Sequence, residues 1–453
     1  MSIFEKVLEI YTHRYLCNPC LGRMFSLLGT NTTNKERGAS LLLSITMENH
    51  QKLLSGAVNE REQAIRHLEI LGKNANYDVA LKVLKKEGFT VFQKKTESEC
   101  YLCKNIFKNL EDYAQKAQKK LSDIEFETLL VGTSPEAEIV NKEDKFKSKL
   151  QLIEAESFKS HFNREIGKIL SENLQKEPEF QYPDITIIYT VGYDSCSVRL
   201  LIRSLFIYGR YKKLIRGIPQ TRWPCGKCNG KGCEDCDFTG KQYQTSVEEL
   251  ISPEFIKSAE AEGSKFHGAG REDIDVRMLG SGRPFVLELI NPKRRSLDLE
   301  AIRRKVNSLN EGQVEINDLR YSDKKEVVII KEESERTQKT YKALVRGEKN
   351  IDESTFQENM NLVKDTMGEE VLDQRTPNRV SHRRADKVRK KRIYKIEGVY
   401  LEPDLYEFQI KTQGGTYIKE LINGDEGRTS PSLTEIFNMQ LFCEELDVIN
   451  IEY

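Results

Sequence analysis

A chain of 453 residues has room for about two to four domains. With 38% hydrophobic and 31% charged residues it is too apolar to be a disordered chain, and no stretch approaches the ~20 apolar residues that span a bilayer. The formal charge is zero, 71 basic against 71 acidic residues, which excludes a uniformly basic protein but not a local basic surface.

The first residues, MSIFEKVLEIYTHRYLC, carry Glu early and contain no apolar core of a signal peptide, so a soluble cytoplasmic protein is expected. Residues 1–125 read as mainly helical. Residues 40–52 set apolar side chains at helical spacing, and 61–71 continue with Ala64, Ile65, Leu68 and Leu71 before a loop at 72–76. Residues 126–132 read as a strand and turn. A helix is predicted next, with Ser134 as N-cap and Pro135 at its first position, and another over 155–172. The polar, Pro-flanked stretch 177–183 is the expected boundary, giving domains 1–180 and 181–453.

From residue 184 the pattern favours strands: 184–191, 283–290, 327–331, 340–346, 393–400 and 405–412, several alternating with period two. Helices are predicted over 297–309 and 417–423. Strands with interspersed helices indicate the α+β class, with an antiparallel sheet. Two stretches here are strongly basic. Residues 195–223 hold seven Arg or Lys and no carboxylate, and 375–395 hold ten against Asp386 alone. The first interleaves Arg210, Lys212, Lys213 and Arg216 with Phe206, Tyr208, Tyr211 and Trp223, a mixture suited to phosphates and unpaired bases. Arg379, Arg383 and Arg384 in the second are candidates for the other side of an RNA clamp.

Eight of the ten cysteines form C-x-x-C pairs. Cys225, Cys228, Cys233 and Cys236 lie in CGKCNGKGCEDC; Cys17 and Cys20 are separated from Cys100 and Cys103 by 79 residues. Four thiolates from two knuckles match tetrahedral zinc better than disulfides, and with no open ligand position both sites read as structural. Cys196 and Cys443 are unpaired and read as small hydrophobes.

The segment HGAGREDIDVRMLGSGRPF, residues 267–285, combines four glycines with Asp273, Asp275, Arg271, Arg277 and Arg283 ahead of a strand. It lacks a P-loop ending and a dinucleotide-binding glycine pattern. Gly270-Arg-Glu-Asp273 resembles the G-R-x-D motif of pseudouridine synthases. Gly415-Thr-Tyr-Ile-Lys-Glu-Leu421 resembles the G-T-Y-I-R-x-L motif of TruB-type enzymes, and Lys339-Thr-Tyr-Lys-Ala343 the segment carrying their base-packing tyrosine. With RSLFIYGRYKKLIRGIPQTRWPC and TPNRVSHRRADKVRKKR, the whole chain is similar to the archaeal Pus-ten family of tRNA pseudouridine synthases.

That resemblance implies a C-terminal pseudouridine-synthase fold, a bent mixed sheet with helices. It also implies an N-terminal α/β accessory domain with a zinc site and a THUMP-like region. It implies isomerisation of uridines 54 and 55 in the TΨC arm of tRNA, with no organic cofactor and no obligate protein partner. Asp273 is then the catalytic carboxylate, and Asp275 a loop acceptor. Tyr341 would stack on the flipped uracil, Tyr417 and Ile418 would line its pocket, and Arg271 would fill the vacated stack or hold a phosphate. Lys419, where the TruB-type motif has Arg, is expected to hold Asp273 ionised. Two other classes compete. A zinc-containing tRNA-binding adaptor would not need Asp273. A zinc-dependent hydrolase or deaminase would need an open zinc position and a His-x-Glu knuckle, which the cysteine pairs lack.

Overall fold

The computed structural model describes residues 1–90, 99–333, 336–367, 371–383 and 385–452. It divides into two compact units, Met1–Arg203 and Ser204–Tyr453.

The first unit opens with helices α1 (Ile3–His13), α2 (Asn18–Arg23), α3 (Asn34–Ser55), α4 (Val58–Asn74) and α5 (Asp78–Lys86). Ser2 with Glu5 and Thr33 with Glu36 form capping boxes that start α1 and α3. α2 and α3 approach through glycines: a Cβ on Gly22 would lie 1.8 Å from the Asn34 carbonyl oxygen, so only Gly fits. Then follow α6 (Leu110–Leu121), β1 (Thr128–Pro135), α7 (Ala137–Lys149), α8 (Phe158–Leu174), β2 (Glu177–Pro178), β3 (Ile185–Val191) and β4 (Cys196–Ile202). The four strands form one sheet in the order β2-β1-β3-β4, with β2, β1 and β3 parallel and β4 antiparallel.

Three expectations are corrected here. The boundary falls after Arg203 rather than at 180, because β3 pairs with β1 on one side and β4 on the other. Ser134 and Pro135 end β1, and Glu136 is the N-cap of α7. The loop expected at 72–76 begins later, since α4 continues to Asn74.

The second unit contains β5 (Leu205–Lys213), α9 (Val247–Ala259), β6 (Gly263–Gly268), β7 (Arg277–Ile290), α10 (Leu299–Leu309), β8 (Val314–Ser322), α11 (Lys324–Glu333) and β9 (Gln338–Gly347). It continues with α12 (Glu353–Met367), β10 (Val371–Arg375), β11 (Val388–Glu402), β12 (Leu405–Gln413), α13 (Ile418–Asn423), β13 (Thr429–Ser430), α14 (Leu433–Phe437) and β14 (Leu441–Glu452). Its sheet runs β13-β10-β11-β12-β9-β14-β7-β5-β8, with β6 beside β7.

The sheet is mixed rather than antiparallel throughout: β7 runs parallel to β14 at Arg277 and Met278, and antiparallel to β5 at Met278 and again from Arg283 onward. Gly280 and Gly282, both at positive φ, lie where the register between β5 and β7 is interrupted. A Cβ on Gly280 would lie 1.9 Å from the Ile449 carbonyl oxygen. The strand expected over 327–331 is instead part of α11. Val327 and Ile330 are buried while Val328 and Ile329 are half exposed, the three-residue spacing of a helix face.

Candidate active site and cysteine centres

A cavity of about 260 Å³ opens where the loop between β6 and β7 meets the middle of the sheet. Arg271 and Asp273 come to it from the loop, Arg283 from β7, Lys339 and Tyr341 from β9, and Arg379 from the turn after β10. Tyr417, Ile418 and Lys419 reach it from the start of α13, and Leu446 and Val448 from β14. All six residues expected to form the catalytic and substrate-binding group, Asp273, Tyr341, Tyr417, Ile418, Lys419 and Arg271, thus line one space. A larger cavity of about 880 Å³ in the first unit, between β1 and α8, is mostly apolar and gathers no comparable set of charges.

Buried polar groups hold the loop from beneath. The Lys213 ammonium donates to the carbonyls of Ile218, Asp273 and Ile274 at 3.0, 3.1 and 3.0 Å. Glu272 accepts from the Tyr211 hydroxyl at 2.8 Å and pairs with Arg283 at 2.8 Å, and Arg283 also donates to the Ala269 carbonyl at 2.9 Å. Gln220 donates to the Tyr211 hydroxyl and to the Gly270 carbonyl. With its backbone fixed this way, Asp273 has its carboxylate turned into the cavity.

The carboxylate's partner is not the expected one. Arg379 Nη1 lies 2.8 Å from Asp273 Oδ2, and its Nε donates to Glu420 Oε1 at 2.6 Å. Lys419 pairs instead with Asp275, whose side chain is 61% exposed against 33% for Asp273. Burial works against ionisation of Asp275, but Lys419 outweighs it and holds the carboxyl below its usual range. A single residue separates the aspartates, and the turn at 273–276 directs them to different cations. Tyr341 is buried, and burial pushes its phenol up to about 12, so it is a neutral aromatic wall. Gln374 brackets Tyr417, donating to its carbonyl at 2.8 Å and accepting from its N–H at 2.7 Å.

The basic stretch 195–223 is put to a different use from the one expected. Alternate residues of β5 point inward, which buries Lys213 completely and removes it from the candidate RNA contacts. Arg216 pairs with Glu445 and Asp447, Lys212 with Glu315, and Arg210 donates to Ser281 and the Gly282 carbonyl. Three of these four cations are therefore partly exposed ties within the fold. Arg379 lies in the cavity rather than on an outer clamp. Arg384 and the side chain of Arg383 lie outside the described residues.

The cysteines assemble as the spacing predicts. In each of the groups Cys17, Cys20, Cys100, Cys103 and Cys225, Cys228, Cys233, Cys236, the sulfurs lie within 4.8 Å of one another. Separations of 3.7 Å for Cys17–Cys103 and 3.9 Å for both Cys225–Cys233 and Cys228–Cys236 match the edge of a tetrahedron with metal–sulfur bonds of ~2.3 Å, about 3.8 Å. None is in a disulfide. Backbone N–H groups face the sulfurs, Cys17 N to Cys100 Sγ at 3.4 Å and Gly232 N to Cys228 Sγ at 3.2 Å. Each group can hold a tetrahedral metal ion, all four positions being taken by sulfur.

The family description "Pus10, C-terminal" matches residues 206–452, and "Pus10 THUMP domain, archaeal" matches 113–190. Proteins named tRNA pseudouridine synthase Pus10 align over nearly the full chain. That of Methanothrix thermoacetophila is 39% identical over 96% of this chain and 91% of its own. That of Methanocaldococcus jannaschii is 41% identical over 98% and 93%. The chain belongs to the Pus10 family. A third Pus10 relative, from Methanopyrus kandleri, is 39% identical over 96% of this chain and 94% of its own. The expected α+β architecture, with a THUMP region ahead of the Pus10 C-terminal domain, holds.

Sequence reasoning missed Arg379 as the partner of Asp273, the Glu272–Arg283 pair beneath the loop, and Lys339. For Lys339 a signal existed: it stands two residues from Tyr341 on a strand, and period two puts both on one face.

Proposed function

We propose that this protein is a tRNA pseudouridine synthase that isomerises uridines 54 and 55 of the TΨC loop, with Asp273 as its catalytic carboxylate. Membership of a family whose curated relatives carry that name supports the reaction class. One observation carries the choice of residue: Asp273 faces the cavity beside Tyr341 and is paired with Arg379, while Asp275 faces outward on Lys419. The reaction breaks the bond from sugar C1′ to uracil N1, turns the base and joins C1′ to C5. Asp273 is the ionised group placed to act on the sugar and base. Arg379 pairs with it and aligns it, with Glu420 fixing the far side of the guanidinium. Tyr341 supports the detached ring, and Tyr417 and Ile418 close the pocket against water.

Both cysteine groups are structural zinc sites in this reading, since all-sulfur coordination leaves no place for a reacting water. The partner is the TΨC arm of tRNA, and the activity belongs to the cytoplasm. Among the described residues no helix is long and apolar enough to cross a membrane.

The test maps pseudouridine in an unmodified tRNA transcript before and after incubation with the pure protein. Wild type should modify positions 54 and 55. Asp273→Asn should lose at least ~10³-fold in rate with tRNA affinity unchanged, because removing the reacting group leaves phosphate and stacking contacts in place. Asp275→Asn should keep measurable activity. The reverse outcome would move the catalytic role to Asp275. Modification surviving in both variants would remove the site, and none with wild type would leave a tRNA-binding adaptor.

A further inference from the structure

Lys339 lies on β9 with its side chain on the same face as Tyr341, and both line the cavity that holds Asp273. It is 6% exposed. The cations around it are already engaged. Arg283 is on Glu272 and the Ala269 carbonyl, Arg379 on Asp273 and Glu420, Lys419 on Asp275, and Lys391 donates to the Gly414 carbonyl at 2.8 Å. Among the described residues the Lys339 ammonium has no hydrogen bond or ion pair. Its stem is buried in the sheet while its amine opens on the cavity, the space a uracil would enter.

We propose that Lys339 is a second catalytic residue, the acid–base group that removes the C5 proton after the base has been rejoined to the sugar. The inference rests on the reading of this cavity as a pseudouridine-forming site. The net change moves one bond and one proton: C1′–N1 breaks, C1′–C5 forms, C5 loses a proton and N1 gains one. Base N1 leaves with the electron pair of the broken bond. Once C1′–C5 has formed, C5 is tetrahedral and still carries its hydrogen. The neutral Lys339 amine accepts that proton, the C–H electron pair returns to the ring, and the ammonium gives a proton to N1. No oxidant, reductant or co-reactant enters, and Lys339 ends in its starting form.

Its surroundings favour this role. Burial first, then Arg283, brings the Lys339 amine down to about 7, with Glu272 pulling the other way and Lys391 adding to the fall. Tyr341 beside it is neutral, and Asp273 is held by Arg379. Both forms of Lys339 are therefore populated near neutrality, the condition for moving a proton in each direction.

The experiment compares wild type with Lys339→Met and Lys339→Arg in single-turnover reactions on an unmodified tRNA transcript, above and below pH 7. A second transcript carries deuterium at C5 of uridine. Wild type should show an inflection near pH 7, and both variants should react ~100-fold more slowly with tRNA affinity unchanged and the inflection gone. Their C5 deuterium isotope effect should exceed that of wild type, because removal of that hydrogen becomes the slow step; a packing role would not move this quantity. Lys339→Arg keeps the positive charge without a usable neutral form, so a wild-type rate in that variant overturns the proposal. So does an unchanged isotope effect. Absence of pseudouridine with wild type would instead fail the underlying function, and activity in Asp273→Asn would fail the choice of aspartate, so the three failures are distinguishable.

Discussion

In the first unit, Cys17 and Cys20 at the start of α2 meet Cys100 and Cys103 across 79 intervening residues, and Cys20, Cys100 and Cys103 are fully buried. In the second, Cys225, Cys228, Cys233 and Cys236 all fall within one loop between β5 and α9, with Cys228 and Cys233 partly exposed. Each cluster has an ion pair beside it. Arg23 is buried, donates toward Cys20 Sγ at 3.9 Å and pairs with Glu143 of α7 at 2.6 Å. Lys227 and Asp235 pair at the surface, 70% and 52% exposed. The same donor set thus joins α2 to a turn far along the chain in one place and folds a short loop upon itself in the other. By loop-closure entropy alone, fixing the longer span constrains the unfolded chain by about 2 kcal/mol more.

The largest effect should come from Cys103→Ser. Because structural metal affinity is itself folding free energy, ~10–16 kcal/mol in small zinc modules, the first unit should lose its metal and become protease-sensitive. Metal analysis should show one equivalent lost and one kept. Full metal content with intact protection would mean that the buried cluster is not what joins these two segments. Next comes Arg23→Met, which leaves Glu143 with Lys147 and the Phe158 N–H as its remaining partners. Breaking a buried pair costs ~3–5 kcal/mol, with Lys147 holding the loss to the lower end, and replacing Glu143 by Met as well should recover much of it. Denaturant melts of the first unit check both.

Cys233→Ser should be milder. It should release the other metal equivalent and open the loop between β5 and α9 to protease. The second unit should still melt cooperatively, shifted by about 2–4 °C, since its sheet and core do not depend on the loop. A collapse of the whole unit would erase the contrast between the clusters.

The two cysteine groups were legible in the sequence because C-x-x-C is a local pattern: each pair fixes two sulfurs whatever the fold around it, while their difference in burial was not. The G-R-x-D and G-T-Y-I-K segments were legible for the same reason. What escaped depended on phase or on tertiary approach. Lys213 counted as one charge in a basic run until β5 set its alternation and turned it inward under Asp273. The run Val327-Val-Ile-Ile330 has strand propensity, yet one side packs and the other is wet, so a helix forms. Which cation meets which aspartate is decided by the turn at 273–276, and the order of residues along the chain does not contain that turn.

The smallest expected effect is the sharpest test of why the clusters differ. Lys227→Ala removes an ion pair adjacent to four sulfurs, as Arg23→Met does, but in water rather than in the core. Exposed pairs contribute ~0–1 kcal/mol, because solvent screens the attraction and ordering two long side chains offsets it. Asp235, left alone, is simply hydrated, whereas Glu143 without Arg23 keeps its burial. Metal retention against a competing chelator and the melting midpoint should therefore match wild type, and added salt should not separate the two proteins. If Lys227→Ala weakened metal retention tenfold, the surface cluster would depend on its flanking charge as the buried one does, and burial would not be the variable that separates them.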